Sequence, residues 1–419
     1  MTVASEAVAL HDGPQQPDRH RRVPVVVWVV AAFALVSFAR VITGSHELDS
    51  AGTLREAISA FIPIMLAALA GLWAERAGVV NIGLEGMMIL GTIGAGYFGF
   101  FYGPWQGVLA AMAFGAIGGA LHALTTVVFN VDHIVSGVAI NIMAGGVAAF
   151  LADTWFSSLE GGGPTQSPPV EGPASLTIGP VADWAKEVED RHWFLLSDAA
   201  SLLGAVTRNL SSLTVLSLLL VGATYLVLWR TSFGLRLRSC GESPGAAETL
   251  GVNVYRYKFI AVMISGALAG LAGGFIVLVG AGLYQNGITN GRGFIGLAAM
   301  IFGNWRPGGL LVGSALFGYT DALQLRAGGG AVHALLIVIA IVLLAYGLLL
   351  LRRRARRSGV VTLVVALLFA VWFFSTDEVP SDFTRMTPYV ATLFVLAFAS
   401  QRLRMPAAVG LRYRRGEAG

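Results

Sequence analysis

The stretch TSFGLRLRSCGESPGAAETLGVNVYRYK, residues 231–258, is a long polar interruption between two apolar segments of the chain. Within it, Ser243 can cap a helix, Pro244 suits the first helical position, and Gly251 can supply a left-handed stop. These residues predict a helix of about two turns. Because an isolated helix of that length is marginal in water, we expect it to pack against its own membrane domain or against a partner.

The composition is that of a protein that crosses the bilayer many times. Hydrophobic residues make up 55% of the 419 residues, charged residues only 12%, and the mean hydropathy is +0.71. A chain of this length has room for about a dozen membrane-spanning helices and their loops. The single cysteine, Cys240, excludes an internal disulfide and a cysteine-based metal cage.

Clusters of arginine define the predicted topology. They lie at residues 19–22, 230–238, 352–357 and 402–415, close to apolar runs. Such clusters mark the cytosolic side of a membrane, and their placement argues against nucleic-acid binding. If both termini are cytosolic, the number of crossings is even. We therefore predict an all-α polytopic membrane protein with about 12 transmembrane helices and cytosolic termini.

Segments between and beyond the apolar runs complete the predicted organisation. Residues 1–24 are polar and contain prolines, which predicts a disordered cytosolic N-terminus. Residues 157–208 are long, net acidic and free of basic clusters, which predicts an external loop. Residues 331–374 predict a hairpin of two apolar helices joined by the sequence RRRARR, and residues 387–419 predict a final helix with a basic cytosolic tail.

Small residues at four-residue spacing predict close contacts between helices. Gly115 and Gly119 form one such stripe, and Gly266, Gly270 and Gly274 form another. Without side chains, these positions let the backbone of a neighbouring helix approach closely.

Four polar residues inside apolar runs are candidates for the lining of a solute path: Asn81, Glu85, Asn141 and Asp321. Asn81 lies four residues before Glu85, and so on the same face of a helix predicted to begin at residue 79. Two interpretations of Glu85 remain open: it lines the path or its inner gate, or it pairs with a helix end or an arginine and fixes the packing. Asn141 could instead form a hydrogen bond across helices, and Asp321 could pair with Arg326.

Charged residues near the ends of spans are predicted to have structural roles. Arg40 can extend its side chain to the membrane surface, and we expect it to have no role in transport. Glu75 and Arg76 flank an inner turn, which predicts a salt bridge at a helix end.

The sequence carries no motif for nucleotide hydrolysis. A P-loop requires a lysine directly after a glycine, and the two lysines of the chain, Lys186 and Lys258, follow other residues. Histidines at metal-ligand spacing are also absent from the sequence. We therefore predict that the protein is not an enzyme, with no catalytic, cofactor-binding or metal-binding residues. Any ATP hydrolysis is expected in a separate chain.

Four segments, taken together, resemble a known family. They are AERAGVVNIGLEGMMILG (74–91), HIVSGVAINIMAGG (133–146), GLRLRSCGESPGAAETLGVNV (234–254) and GRGFIGLAAMIFGNWRPGGLLVGSALFGYTDALQLR (291–326). They resemble permease subunits of bacterial ABC importers, in the branch grouped with branched-chain amino acid, ribose and nucleoside permeases. The resemblance is closest to the second permease of simple-sugar or nucleoside systems. It covers most of residues 57–326 and resumes at 387–415.

This resemblance implies partners, a location and a class of solute. Such permeases work as a pair of similar membrane subunits in the bacterial cell membrane, and we expect a heterodimer with a second permease subunit here. The pair acts with a cytosolic ATP-binding subunit and an extracytoplasmic solute-binding protein, expected to be a lipoprotein. Each permease forms half of the solute pathway. Nucleosides rank first as the solute, simple sugars second and branched-chain amino acids third.

The resemblance also implies a role for the short helix, because importer permeases carry a coupling helix at this place. A coupling helix docks in a groove of the ATP-binding subunit. Residues 246–251 keep the frame Ala-Ala-x-x-x-Gly, whereas Gly245 stands where the wider motif has a glutamate. This departure favours docking by shape over a particular salt bridge. The coupling helix is expected to comprise Ser243, Pro244, Gly245, Ala246, Ala247, Glu248, Leu250 and Gly251.

The chain departs from the family pattern after residue 326, where the family has its final helix soon afterwards. Residues 331–374 are therefore predicted to be a hairpin inserted beside a permease core of about ten helices, whose main part is residues 25–326. A rival interpretation is a secondary transporter, a facilitator or symporter, with about twelve helices. A third is a membrane scaffold with no solute of its own.

Overall fold

The computed structural model of the protein describes residues 25–380, 383, 386 and 403–416. These residues form fifteen α-helices and one two-stranded sheet. The helices are α1 (Val25–Thr43), α2 (Ala51–Arg76), α3 (Leu84–Tyr102), α4 (Pro104–Ala123), α5 (His133–Phe156), α6 (Gly179–Glu189), α7 (Leu196–Thr207), α8 (Ser212–Arg230), α9 (Ser232–Glu242), α10 (Pro244–Thr249), α11 (Val254–Phe275), α12 (Arg292–Phe302), α13 (Pro307–Ala322), α14 (Gly328–Arg352) and α15 (Arg356–Ser375). The predicted disordered N-terminus at 1–24 and the predicted final helix at 387–399 lie outside the described residues.

Eight helices of the described part are long and apolar enough to cross a membrane. They contain α2, α3, α4, α5, α8, α11, α14 and α15. By contrast, α12 has 11 residues and α13 has 16, which is short for a full crossing. The multi-pass membrane class is thus shown, whereas the count of about twelve crossings stays a prediction.

Helices α4 and α11 lie so close together that only glycine fits between them. A Cβ atom added to Gly266 would lie 2.8 Å from the Cα of Gly119, and one added to Gly270 would lie 2.8 Å from the Cα of Gly115. Real Cβ atoms do not approach other atoms this closely. The two predicted stripes of small residues therefore face each other, as expected for close helix contacts.

Helix α3 begins at Leu84, although the sequence predicted a helix from residue 79. Residues 79–83 lack regular helical structure, so Asn81 precedes the helix. The prediction that Asn81 and Glu85 share one helical face is therefore wrong.

Side chains of α5 explain why the segment 79–83 can remain non-helical inside the bundle. The Nδ1 atom of His133 accepts a hydrogen bond from the backbone N–H of Val80 at 3.2 Å. The amide of Asn141 donates to the carbonyl of Ile82 at 3.0 Å. Irregular backbone inside a membrane protein requires such partners, because lipid cannot satisfy N–H and carbonyl groups.

The predicted external loop, residues 157–208, is folded onto the bundle. It contains α6, α7 and the strand β1 (Ser175–Leu176), which pairs with β2 (Leu210–Ser211) just before α8. The N–H of Ser167 donates to the carbonyl of Tyr284, after α11, at 3.0 Å. These contacts attach the region to the start of α8 and to the segment after α11.

Helices α14 and α15 form the predicted hairpin. The ring of His333 stacks on that of Phe373, with 4.7 Å between centroids, and its Nε2 lies 3.1 Å from the Phe373 carbonyl oxygen. Helix α14 follows directly on the π-helical segment Leu323–Ala327 after α13. That the hairpin is an insertion stays a prediction.

Candidate functional site

Glu85, near the start of α3, binds the N-terminal end of α12. Its carboxylate accepts hydrogen bonds from the hydroxyl of Thr289 at 2.6 Å and from the N–H groups of Gly291 and Gly293 at 2.9 and 2.7 Å. The first N–H groups of a helix lack partners within the helix and carry partial positive charge, so a buried carboxylate stabilises them. Of the two interpretations of Glu85, this geometry supports the one in which it pairs with a helix end.

The two asparagines of the predicted path also hold elements together. The Oδ1 atom of Asn141 accepts from the N–H of Gly86 at 2.7 Å, while its amide nitrogen binds the segment before α3. Asn81 donates to the hydroxyl of Ser265 in α11 at 2.9 Å. Asn141 thus makes the hydrogen bond across helices that was the alternative to a path-lining role.

Asp321 forms an ion pair with Arg292 and not with Arg326, so the predicted pair is wrong. The distance between Asp321 Oδ2 and Arg292 Nη2 is 2.9 Å. Residues five positions apart on a helix point to different faces, which disfavours a pair with Arg326. Because Arg292 is the first residue of α12, the ion pair joins the start of α12 to the last turn of α13.

A cavity of about 220 Å³ lies beside this ion pair, between α2, α12 and the π-helical segment Ile276–Ala281. We name it the α2 cavity. Its polar lining comes from Glu56, Ser59 and Arg292, and Phe275 forms part of its apolar lining. Glu56 and Ser59 are three residues apart on α2 and so share a face. A few polar groups among apolar ones are typical of a small-molecule site.

Sequence reasoning missed this cavity, since none of the four predicted path residues lines it. Arg292 lines it and is the partner of one of them, Asp321. The available signal was a carboxylate and a hydroxyl on one face of an otherwise apolar helix. That signal was weak because Glu56 lies in the second turn of α2, where charges are common.

Arg40 lies in a buried ion cluster, and the prediction that it reaches the membrane surface is wrong. Its guanidinium lies 3.3 Å from the carboxylate of Asp49 and 3.0 Å from that of Asp198, with at most 5% of any of these side chains exposed. The hydroxyl of Ser37 also donates to Asp198. Since Asp198 belongs to α7, the cluster fastens α1 to the predicted external loop.

Trp305 connects the end of α2 to the turn between α12 and α13. Its indole N–H donates to Glu75 at 2.5 Å, and the Nε of Arg76 donates to its carbonyl at 3.0 Å. Glu75 and Arg76 thus bind a common third residue. Arg76, the last residue of α2, also forms the predicted helix-end salt bridge, with Glu242 at the end of α9 at 3.9 Å, whereas Glu75 binds Trp305 instead of a cation.

The predicted coupling helix forms α10, Pro244–Thr249. Gly251 follows with a φ of +80°, the left-handed conformation expected of it. Ser243 makes no side-chain capping bond, contrary to the prediction. Its backbone carbonyl instead accepts from the N–H of Ala247 at 3.0 Å.

One face of α10 is fixed to the bundle, and its end is exposed. Ala247 is buried in a small cluster with Cys240 and Val254, whereas Leu250 is 84% exposed. Burial raises the pKa of the Cys240 thiol to about 11, so this thiol is neutral at physiological pH. The arrangement presents a short helix that another protein could contact.

Comparison with known proteins gives the family. Residues 53–347 match the family model described as "Branched-chain amino acid transport system / permease component". The match contains Glu85, the lining of the α2 cavity and α10, and it ends within α14. No solved structure matches the chain.

Several relatives are permease proteins of ABC transporters. The guanosine ABC transporter permease protein NupQ of Bacillus subtilis is 37% identical over 63% of this chain and 78% of its own length. The nucleoside permease protein NupC of Lactococcus lactis subsp. cremoris is 31% identical over 84% of this chain and 93% of its own. The nucleoside permease protein NupB of the same organism is 23% identical over 64% and 71%. Because the family model covers more than half of the chain, the protein belongs to the permease family of branched-chain amino acid transport systems.

Proposed function

We propose that the chain is one of two different permease subunits of an ATP-driven nucleoside importer in a bacterial cell membrane, and that it forms half of the solute pathway. The observation that carries this proposal is the 31% identity to a nucleoside permease over 84% of the chain. The proposal includes cytosolic termini and about twelve membrane crossings. Helices α2 and α11 are proposed to lie beside the solute path.

The α2 cavity is the proposed section of the path within this chain. A nucleoside carries a flat base with apolar faces and a ribose with hydroxyl groups. Phe275 and Ile288 supply apolar surface for the base, while Glu56 and Ser59 can accept hydrogen bonds from the hydroxyls. The substrates in the names of the relatives, guanosine and nucleosides, agree with this chemistry.

A second, different permease is the proposed membrane partner. Two organisms each have a pair of relatives that are named for the same substrate, and in both pairs one member is more similar to this chain than the other. The identities are 37% and 25% in Bacillus subtilis, and 31% and 23% in Lactococcus lactis. This pattern supports a heterodimer in which the present chain takes the place of NupQ or NupC.

A separate ATP-binding subunit is the proposed source of energy, because the sequence contains no P-loop. It would dock on α10, where Leu250 offers an exposed apolar side chain. An extracytoplasmic solute-binding protein, proposed to be a lipoprotein, would deliver the nucleoside on the opposite side.

The hairpin of α14 and α15 is proposed to be an accessory unit at the periphery of the core. Only 11% of the most apolar stretch of α15 is buried, compared with 78% of that of α11. Such exposure suits a helix whose sides face lipid. The hairpin would then add crossings without contributing to the solute path.

The test is uptake of radiolabelled guanosine by proteoliposomes that contain the complete complex with its binding protein and enclose ATP. We expect uptake with ATP and none with a non-hydrolysable analogue. Uptake driven by an ion gradient without ATP would instead support the rival interpretation, a secondary transporter.

A further inference from the structure

The C-terminal segment 403–416 connects the ends of several elements near α10. The N–H of Ala408 donates to the carbonyl of Gly241, at the end of α9, at 2.9 Å. The N–H of Arg404 donates to the side chain of Asn304, in the turn between α12 and α13, at 2.7 Å. The segment therefore has a defined position, although it is far in sequence from everything that it contacts.

Glu248 of α10 is the residue that this segment binds most extensively. One carboxylate oxygen accepts from the hydroxyl of Tyr413 at 2.6 Å and from the N–H of Gly416 at 3.4 Å. The other lies 3.3 Å from the Nε of Arg415. The hydrogen bond from Tyr413 is the largest cause that lowers the pKa of Glu248, so the carboxylate is charged at neutral pH.

Tyr413 also contacts α11 and so joins the two helices. Its carbonyl accepts from the hydroxyl of Tyr255 at 3.4 Å, and the two rings lie 5.4 Å apart. The ammonium of Lys258 lies 5.8 Å from the centroid of the Tyr413 ring, within cation–π range. A continuous series of contacts thus leads from α10 through Tyr413 to α11.

We infer that residues 403–416 form a C-terminal clamp that fixes α10 to α11, and that Tyr413 is its positioning residue. A helix of six residues is not stable alone, and Ala247 gives it only a small buried surface. The clamp makes α10 and α11 move together. This inference rests on the proposed function, in which a partner ATPase moves α10 and α11 borders the solute path.

Arg415 and Tyr413 are expected to contribute unequally to the stability of the contact between the clamp and α10. Arg415 is 84% exposed, and exposed ion pairs contribute little. The bond from Tyr413 to Glu248 is a short hydrogen bond to a charged group, the stronger kind. The variant Tyr413→Phe removes this bond and keeps the ring, while Arg415→Ala is a matched control on the same carboxylate.

The native cysteine provides a test that needs no partner subunit. Cys240 is the only cysteine of the chain and is fully buried in a cluster with Ala247 of α10 and Val254 of α11, against which Tyr413 also packs. Its alkylation by a maleimide therefore reports opening of the contact between α10, α11 and the clamp. For the purified permease in lipid nanodiscs, we expect several-fold faster alkylation in Tyr413→Phe and an unchanged rate in Arg415→Ala. Equal rates in the wild type and Tyr413→Phe would overturn the inference.

A second variant tests the pair from the side of α10. Glu248→Ala should accelerate alkylation about as much as Tyr413→Phe, and the double variant should add little, because both remove the bond between Tyr413 and Glu248, and the contacts of Glu248 with Arg415 and Gly416 are exposed or long. Additive effects of the two substitutions would show that they act independently and would contradict the clamp.

The consequence for transport is measured in the complete complex as guanosine imported per ATP hydrolysed. We expect this ratio to fall several-fold in Tyr413→Phe, with ATP hydrolysis and membrane insertion retained. If the ratio is unchanged in Tyr413→Phe while the wild type imports guanosine with ATP, the inference is overturned and the proposed function stands. Absence of ATP-dependent import in the wild type would instead contradict the proposed function.

Discussion

The carboxylate of Glu85 lies 2.7 Å from the backbone nitrogen of Gly293, which is 208 positions later in the chain. The contact joins the start of α3 to the start of α12. It also requires a glycine, because a Cβ on residue 293 would lie 2.7 Å from the same carboxylate. The start of α3 and the start of α12 therefore meet at one buried carboxyl group inside the bundle.

Replacing Glu85 should lower the stability of the fold and should not act directly on solute transport. In Glu85→Ala, the N–H groups of Gly291 and Gly293 lose their acceptor, which should cost about 2–3 kcal/mol of unfolding free energy. Glu85→Gln keeps an acceptor oxygen and should cost less. Thermal unfolding of the purified permease measures both. If Glu85→Ala unfolds at the wild-type temperature and loses only transport, Glu85 lines the path instead.

The buried cluster around Arg40 should be essential for attaching α1 to α7. Arg40→Ala leaves the carboxylates of Asp49 and Asp198 buried without their cation, which should cost about 3–5 kcal/mol. The control is Arg208→Ala, which breaks an ion pair between a partly exposed arginine and the exposed Asp183 and should cost at most about 1 kcal/mol. Limited proteolysis of the predicted external loop is the measurement. Equal protection of both variants would contradict the role of the cluster.

The C-terminal clamp should be insensitive to pH in the neutral range. The pKa of Glu248 is lowered from 4.5. The carboxylate therefore stabilises the clamp fully above pH 4.5, and this stabilisation is lost as pH falls through the lowered pKa. The pKa of Tyr413 is raised from 10.0, first by burial and then by the bond to Glu248. Its contribution is therefore present below pH 10.0 and lost as pH rises through the raised pKa.

Alkylation of Cys240 at a series of pH values, corrected for the fraction of thiolate, measures this dependence. The corrected rate should be constant between about pH 5 and pH 7 and should rise as pH falls below this range. It should also rise in the alkaline range, because deprotonation of Lys258 removes its cation–π contact with the Tyr413 ring before Tyr413 itself ionises. A transition near pH 7 would mean that another group controls the release of α10.

The α2 cavity should determine affinity for the solute. Ser59→Ala removes a hydroxyl from the lining and should raise the KM for guanosine uptake about three- to tenfold, with little change in ATP hydrolysis. Ser45→Ala, outside the cavity lining, is the matched control. An unchanged KM in Ser59→Ala would place the solute path elsewhere.

Local sequence patterns were sufficient to predict α10, the left-handed Gly251 and the two stripes of glycine. These features depend on residues within a few turns of each other, whereas the pairing of the two stripes joins distant segments and was not predicted. The partners of Arg40 and Asp321 could not be predicted, because they lie in distant segments that only the fold brings together. The predicted start of α3 was wrong for the same reason, because Asn141 and His133 of α5 stabilise the non-helical backbone before this helix.

The α2 cavity could not be predicted from the sequence because four separate segments line it. Glu56 and Ser59 become a site only when Arg292 and Phe275 lie opposite them. The C-terminal clamp was missed because its arginines were interpreted only as a signal for the cytosolic side. That pattern gave no reason to place Tyr413 against Glu248.

The most direct test of the central claim is guanosine uptake into proteoliposomes that contain the complete complex and enclose ATP, measured for a glycine variant of the coupling region and for a control outside it. Gly251→Val forces a branched side chain into a φ of +80°, whereas the side chain of Gly222→Ala, in α8, meets no atom within 4 Å. We predict that Gly251→Val lowers uptake per ATP several-fold while it still inserts into the membrane, and that Gly222→Ala behaves as the wild type. Full guanosine uptake by Gly251→Val, or uptake by the wild type without ATP, would contradict the account.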